Sequence, residues 1–497
     1  MTRSAGFLAV DLGAESGRCL LGCFDGSRLT VREMYRFANG PVRVGDRLYW
    51  DALRLYTEIK VGLSKVLRQG DAELVSLGLD AWGNDFALLD RHGGVLGNPH
   101  HHRDSQTEGM LEIAFERVPP EEIYAQTGVQ FLRLGMLYQL LALTVRRSPL
   151  LDAADSWLMI PDLFNTWLTG SMASEYTVAS TGQCLNMATG KWATPLLDRL
   201  GIPSRLAPPL IWPGTRLGRL LPSVAEEVGA DHLSVVAPAC HDTGCAVVAA
   251  PARDDNFAYL SSGTWSLLGV ELSRPLINAD SLRFNFTNEG GAAGTIRFLK
   301  SLNGMWLIQE CQRAWATAGN ALPYAEISRL AADAPPFVAV IDTDASDFMA
   351  PGDMPAHLLD YCRRTGQKAP EGIDSMARTV FEGLAFKYRW VLERLEQTLG
   401  RRPAVLHVVG GGSQNRLLNQ FTADATGRPV IAGPAEAASI GNILMQLVAL
   451  GHISSLSDAR RLSARSFKTE TYLPRATDAW DSAYPRFLER FGSIILT

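Results

Sequence analysis

Gly6-Phe7-Leu8-Ala9-Val10-Asp11-Leu12-Gly13-Ala14-Glu15-Ser16-Gly17-Arg18-Cys19-Leu20-Leu21-Gly22-Cys23-Phe24 is the stretch on which the fold turns. The apolar run Gly6 to Val10 reads as a short buried strand and Cys19 to Phe24 as a second. The segment that joins them, Asp11 to Arg18, carries glycines and no helical periodicity, so the layout is strand, glycine turn, strand. A dinucleotide site would run from strand into helix instead. The same layout returns half a chain later as Phe257 to Leu260, the turn Ser261-Ser262-Gly263-Thr264, and Trp265 to Val270. Two such hairpins, each opening about half of the chain, predict an ancient internal duplication.

Outward from these hairpins, 497 residues are too many for one ordinary core, and two packing units are expected. The polar, turn-rich stretch Pro251 to Asn256 places the junction near residues 246 to 256, giving domains at 1–246 and 247–497. A composition 46% hydrophobic and 20% charged is that of a folded enzyme, and the net charge of −5 with no long basic run gives no footprint for nucleic acid. The 7 cysteines form no Cys-x-x-Cys pair and read as reduced thiols. No apolar run reaches the roughly 18 to 20 residues of a membrane span, and Asp11 interrupts the only apolar segment near the amino terminus, so a cytoplasmic protein is expected.

Between the hairpins, Leu74 to Asp80 reads as an apolar strand, Trp82-Gly83-Asn84 as a tight connection and Asp85 to Leu89 as another strand. Asp51 is placed to cap a helix running to about Arg68, and Asp374 one that ends at Gly400. Ala404 to Val409, Gly410-Gly411-Gly412 and Asn415 to Thr426 form a strand, turn and helix of nucleotide-binding type. There is no Gly-x-x-x-x-Gly-Lys-Ser/Thr run and no complete dinucleotide fingerprint, so neither common nucleotide fold is expected.

Three places offer chemistry. Glycines at both ends of the Gly13 to Arg18 turn let backbone amides approach an anion, and Asp11 at its mouth is a candidate Mg²⁺ anchor acting through water. A carboxylate that merely caps the turn is the alternative. The turn Ser261 to Ser266 offers hydroxyls and a glycine at the equivalent place in the second half. Asp242, in Ala239-Cys240-His241-Asp242-Thr243-Gly244, follows a strand near the junction and suits a general base for phosphoryl transfer to an alcohol; the N-cap of the following helix is the other reading. The run His100-His101-His102 carries no metal reading, because consecutive side chains are expected to diverge and no carboxylate or Cys stands at ligand spacing.

These segments resemble the FGGY family of carbohydrate kinases, of the actin, Hsp70 and hexokinase superfamily. The resemblance runs nearly end to end through Val10 to Gly13 with Ser16-Gly17-Arg18, Trp82-Gly83 with Asp85-Phe86, Tyr138-Gln139-Leu140, and Glu175-Tyr176-Thr177. It continues through His241-Asp242-Thr243, Ser261 to Ser266, Thr287 to Gly291, and Gly410 to Gly412 with Gln414-Asn415. It implies an α/β fold of two actin-like, ribonuclease H-like domains with an ATP and sugar cleft between them. By the same resemblance Ala14, Glu15, Ser16, Gly17, Arg18 and Thr264 contact ATP phosphates, and Gln309, Gly411 and Asn415 help hold the nucleotide. Gly83, His241, Thr243 and Ser301 line the sugar site, with Asp242 as proton acceptor. The implied reaction is phosphorylation of L-rhamnulose at O1 by ATP, in L-rhamnose breakdown. The partners implied are a small ketose and ATP, with no nucleic acid and no membrane, as monomer or homodimer. Departures from the family pattern at Ala81, Asn84, Gly135, Met136 and Ser301 bear on the sugar, so L-fuculose, L-xylulose and L-ribulose are alternatives, as is a silent sugar- or ATP-binding regulator.

Overall fold

A computed structural model describes residues 5–69, 72–230, 233–349 and 351–490. The chain packs into two compact units that do not follow one cut at 246/247. Unit 1 gathers Met1–Arg253, Glu271–Phe298 and Ala437–Ser466; unit 2 gathers Asp254–Val270, Leu299–Glu436 and Phe467–Thr497. The reason is visible inside unit 1. The helix Ala437–Ala449 comes from the second half of the sequence, yet it lies against the sheet of the first.

That sheet holds β1 (Ala5–Leu12), β2 (Ser16–Phe24), β3 (Leu29–Ala38), β4 (Glu73–Ala81), β5 (Thr215–Arg219) and β6 (Ser234–Ala237), in the order β5-β6-β4-β1-β2-β3. β1 pairs antiparallel with β2 and parallel with β4, β4 parallel with β6, and β6 antiparallel with β5. In unit 2, β7 (Phe257–Ser262), β8 (Trp265–Leu272), β10 (Val405–Val409), β11 (Val430–Ala432) and β12 (Glu470–Tyr472) follow β8-β7-β10-β11-β12; β9 is Ile296–Asn303. Here β7 pairs antiparallel with β8 and parallel with β10, β10 parallel with β11, and β11 antiparallel with β12. The pairing sequence of unit 1 is therefore repeated strand for strand, as the twin hairpins predict.

The hairpin strands are longer than their apolar runs. Ser16, Gly17 and Arg18 belong to β2, with Leu12 opposite Gly17 and Asp11 opposite Arg18, so the turn itself is Gly13-Ala14-Glu15. Packing alone already requires glycine at 17: a Cβ there would collide with the Phe37 ring. The helix Ala52–Gln69 buries Ala52, Leu55, Ile59, Leu63 and Val66, spaced by three and four residues, in one core with Val10, Leu12, Leu77 and Leu79. In the 28-residue helix Gly372–Leu399 the N-cap is Glu371, and Asp374 stands in the first turn instead. Among the described residues, no helix is long and apolar enough to cross a membrane.

Candidate active site

Parallel partners in a sheet present their side chains to the same face, and β1 and β4 align Asp11 with Asp80. Both are buried. Asp11 Oδ2 accepts from Arg18 Nη2 and from Ser439 Oγ, each at 2.9 Å. Asp80 Oδ2 accepts from Asn442 Nδ2 at 2.6 Å. Burial first, and then the Asp11 carboxylate, push the Asp80 acid well above the usual carboxylate range. Ser439 and Asn442 belong to the helix Ala437–Ala449, where Gln446 continues the same stripe by accepting from Ser76 Oγ at 2.7 Å. Polar residues at 439, 442 and 446 on an otherwise apolar helix are a legible signal of a buried polar seam, one that neither hairpin motif reveals.

β6 ends at Ala237, and after four intervening residues the chain enters the helix Asp242–Val248. His241 is the N-cap, with no side-chain capping bond, and Asp242 is the first helical residue. This segment is pinned from below by Glu175, which is fully buried. Its carboxylate accepts from Cys240 N at 3.0 Å and Thr177 N at 3.0 Å. Thr177 Oγ1 accepts from His241 N at 3.2 Å. Desolvation raises the Glu175 acid to about 7 against these bonds. Asp242 Oδ1 accepts from Thr243 N and, at 3.1 Å, from Thr243 Oγ1. Its side chain keeps 31% exposure, as an acid that must meet a substrate requires. Burial raises its pKa, and the neighbouring His241 offsets part of the rise.

Gly83 and Asn84 lie beside this loop, because Ala81 N donates to Cys240 O at 2.9 Å and Ala81 bridges His241. A Cβ on Gly83 would stand 2.6 Å from Thr181 Oγ1, which accepts from Asn84 N at 3.0 Å. Asn84 sits at φ 70, a left-handed conformation that Asn tolerates and a β-branched residue resists. Of the other departures, Met136 is wholly buried, and Gly135 is the N-cap of the helix Met136–Val145.

The histidine run behaves differently from the expectation that its side chains diverge. His100 bridges Tyr49, but His101 and His102 lie outside any helix or strand, and their rings stack at 4.3 Å. A carboxylate does stand beside the run. Asp85 Oδ2 takes His102 Nδ1 at 2.9 Å, Trp50 Nε1 at 2.6 Å and Trp82 Nε1 at 2.9 Å, while Oδ1 accepts from Gln139 Nε2 at 3.0 Å. This buried anion is fully coordinated by side-chain donors, and among the described residues no group of three or more His, Cys, Asp or Glu is arranged to hold a metal.

Unit 2 assembles its own cradle. The β7–β8 turn is closed by Gly263 N donating to Trp265 O at 2.9 Å, and Gly304 N donates to Thr264 O at 3.0 Å. The helix Trp306–Thr317, which carries Gln309, thus begins on that turn. Gln309 Oε1 is buried without a hydrogen bond. Gly410 stands at φ 84, and a Cβ there would lie 3.0 Å from Ser262 O, so the triglycine corner folds directly against β7. Around Gly411 a Cβ would meet nothing within 4 Å, which leaves an open face at the triglycine corner. Asn415 caps the helix Arg416–Thr426 by accepting from Leu418 N at 3.0 Å, so its side chain is engaged in the helix start.

Ser301 lies on β9 next to Lys300. Asn303 is not spare: its N donates to Asp344 Oδ1 at 2.7 Å and its Nδ2 to Thr343 O at 3.0 Å. Lys300 is 4% exposed. Burial, then the Lys387 ammonium, bring its pKa from 10.5 down to about 7. Lys387 Nζ is meanwhile shared by Asp342 Oδ1 at 2.9 Å and Asp344 Oδ2 at 2.8 Å. Between those two pH values the unfolded chain binds a proton that the folded chain does not, so this group makes stability rise with pH. Melting temperatures measured from about pH 7 to about pH 9.5 are expected to rise more steeply in wild type than in Lys300→Met, and parallel curves would contradict the buried lysine.

Two family models match almost the entire chain: the N-terminal domain of the FGGY family of carbohydrate kinases over residues 7–249 and the C-terminal domain over 258–450. The chain belongs to the FGGY family of carbohydrate kinases. It is an ATP-dependent sugar kinase. Within the family it is similar to a rhamnulokinase of Bacteroides thetaiotaomicron, 44% identical over 97% of this chain and 98% of the relative. It is similar also to a rhamnulokinase of Halalkalibacterium halodurans, 41% identical over 94% and 98%. Ligand-bound xylulose kinase from Lactobacillus acidophilus shares the fold, with TM-score 0.79 over 98% of this chain and 97% of that one at 17% identity.

Proposed function

We propose that this protein transfers the γ-phosphoryl group of ATP to O1 of L-rhamnulose, giving L-rhamnulose 1-phosphate and ADP, with Asp242 as the base. The observation that carries the reading is the setting of Asp242. Its carboxyl is partly exposed at the carboxyl end of the sheet, its backbone is fixed through Glu175 and Thr177, and burial makes it a better proton acceptor than an ordinary aspartate. Phosphoryl transfer asks little covalent chemistry of the protein and much positioning, so an acid that orients the attacking hydroxyl and takes its proton is the essential group. Kinship with rhamnulokinases over nearly the whole chain supports the sugar.

In this reading Gly83, His241, Thr243 and Ser301 bind the ketose. Ala14, Glu15, Ser16, Gly17, Arg18 and Thr264 serve the ATP phosphates, and Gln309, Gly411 and Asn415 the nucleoside, Asn415 by fixing the helix start behind the glycines. Since Ser16 to Arg18 lie in β2, their part is played from a strand end, and Ala14 and Glu15 supply the turn amides. The residues fit Mg²⁺: Asp11 is a hard oxygen donor, and its register partner on β4 is a second acid, Asp80. When bound, the ion would neutralise charge on the transferring phosphoryl group. The supply of ATP places the reaction in the cytoplasm. Product analysis tests the assignment. Phosphorus NMR should show one phosphoester coupled to the C1 methylene protons; a phosphoester on another carbon, or inorganic phosphate alone, would contradict it.

A further inference from the structure

Arg297 is a lone charge in the apolar run Ile296-Arg297-Phe298-Leu299, and its side chain is completely buried. Nothing in phosphoryl transfer itself calls for a guanidinium at this depth, and burying one costs several kcal/mol of solvation unless it is used. Its Nε donates to Gly290 O at 2.8 Å, and its Nη2 stands 3.1 Å from Glu289 Oε2. The same Nη2 lies 2.9 Å from His241 Nδ1. A guanidinium has only donors, so at that contact Nδ1 must accept, and the ring proton is left on Nε2. Nε2 in turn stands 3.4 Å from Asp242 Oδ1, close to it but without the alignment of a hydrogen bond, as catalytic contacts often are before substrate binds. Glu289 Oε2 is the competing partner for Nδ1, but at 3.5 Å it is the more distant one, and Arg297 already engages it.

We propose that Arg297, with Glu289 as its counter-ion, is a positioning residue for the base: it holds His241 in the Nε2–H tautomer, so that the imidazole keeps its N–H, and not a lone pair, beside the Asp242 carboxylate and favours its working orientation. The inference rests on the reading of Asp242 as base. Neither Arg297 nor Glu289 touches the reacting atoms; both act through His241. In the other tautomer, Nδ1–H would face Glu289 and a bare Nε2 lone pair would face the carboxylate, two acceptors in opposition. A change of about 1 Å in a reacting group can cost about a hundredfold in rate, so a misdirected Asp242 should be seen in turnover.

The test pairs a spectrum with kinetics. In protein labelled with ¹⁵N-histidine, His241 resonances are assigned by their loss in His241→Asn, and the ring is expected as the neutral Nε2–H tautomer near neutral pH. The Nδ1–H tautomer or an imidazolium in wild type overturns the proposal, and this measurement needs no variant of Arg297 to fold. Arg297→Met should then lose the Nε2–H signature and lower kcat for L-rhamnulose by about tenfold to a hundredfold with KM for ATP unchanged. Arg297→Lys, which keeps a donor, should restore the tautomer and part of kcat. A merely structural arginine would lower the melting temperature of both variants and leave the tautomer and the kcat of the folded fraction as in wild type, which would sink the proposal. Failure of the base reading is distinct, because it appears as undiminished turnover in Asp242→Asn.

Discussion

Asp242→Asn should lower kcat by about 10³-fold while leaving the protein folded and able to bind ATP. The substitution keeps the shape of the side chain and the acceptor oxygen that Thr243 uses, but an amide cannot take the proton of the attacking hydroxyl. Asp242 is also the first residue of a helix, where losing a negative charge costs typically 0.3 to 1 kcal/mol, roughly, through the helix dipole. The melting temperature should therefore move by only a few degrees at most, and KM for ATP should not move. A small change in turnover would transfer the role of base to another group. Isothermal titration with the nucleotide, run on the same preparation, separates lost chemistry from lost binding.

Gly441→Ala should be the most damaging single methyl group in unit 1. A Cβ at Gly441 would lie 1.8 Å from Cys245 O, a backbone atom of the helix that begins with Asp242. A flexible side chain could swing away, but a backbone carbonyl cannot yield without carrying its helix along. Overpacking of this kind costs about 1 to 3 kcal/mol where side chains can adjust, and a larger loss is expected here. Because Ser439 and Asn442 on the same helix hold Asp11 and Asp80, the displacement should also disturb these acids. The prediction is a melting transition lowered by roughly 10 °C or more together with reduced turnover of whatever remains folded. A wild-type melt and wild-type turnover would mean that the two helices do not approach as closely as described.

The parts of this architecture that were legible in the sequence are the locally encoded ones. Each hairpin declares itself within a few residues by two apolar runs around a glycine turn, and the duplication follows from seeing the pattern twice. Asp242 could be picked out because an acid in the connection after a buried strand, near the junction where clefts form, suits a general base, with the cap of the next helix as the competing reading. The features that escaped are those whose partners are remote in the chain. Ser439 holds Asp11 across 428 positions and Asn442 holds Asp80 across 362, so neither motif advertises the other. Gly17 illustrates a different limit. It looks like a phosphate-loop glycine, and only the fold shows a second reason for it: Phe37 from the next strand fills the space where its side chain would be. The histidine run misled for a similar reason: its rings are arranged by Trp50 and Asp85, not by the regular geometry of consecutive residues. The compact units could not be read as two halves, because the helix Ala437–Ala449 pairs its small and polar residues with a sheet encoded hundreds of residues earlier. Arg297 had a visible signal, one charge in an apolar strand, but its meaning depends on His241, 56 positions away.

The most direct test of the central claim is ADP release by the purified protein with MgATP against L-rhamnulose, L-fuculose, L-xylulose and L-ribulose, with a control lacking sugar. The account predicts a kcat/KM for L-rhamnulose well above that for each other ketose and a negligible rate without sugar. Preference for another ketose would move the specificity to Ala81, Asn84, Gly135 and Ser301, and ADP release with none of the four would contradict the assignment of this chain as a kinase for L-rhamnulose.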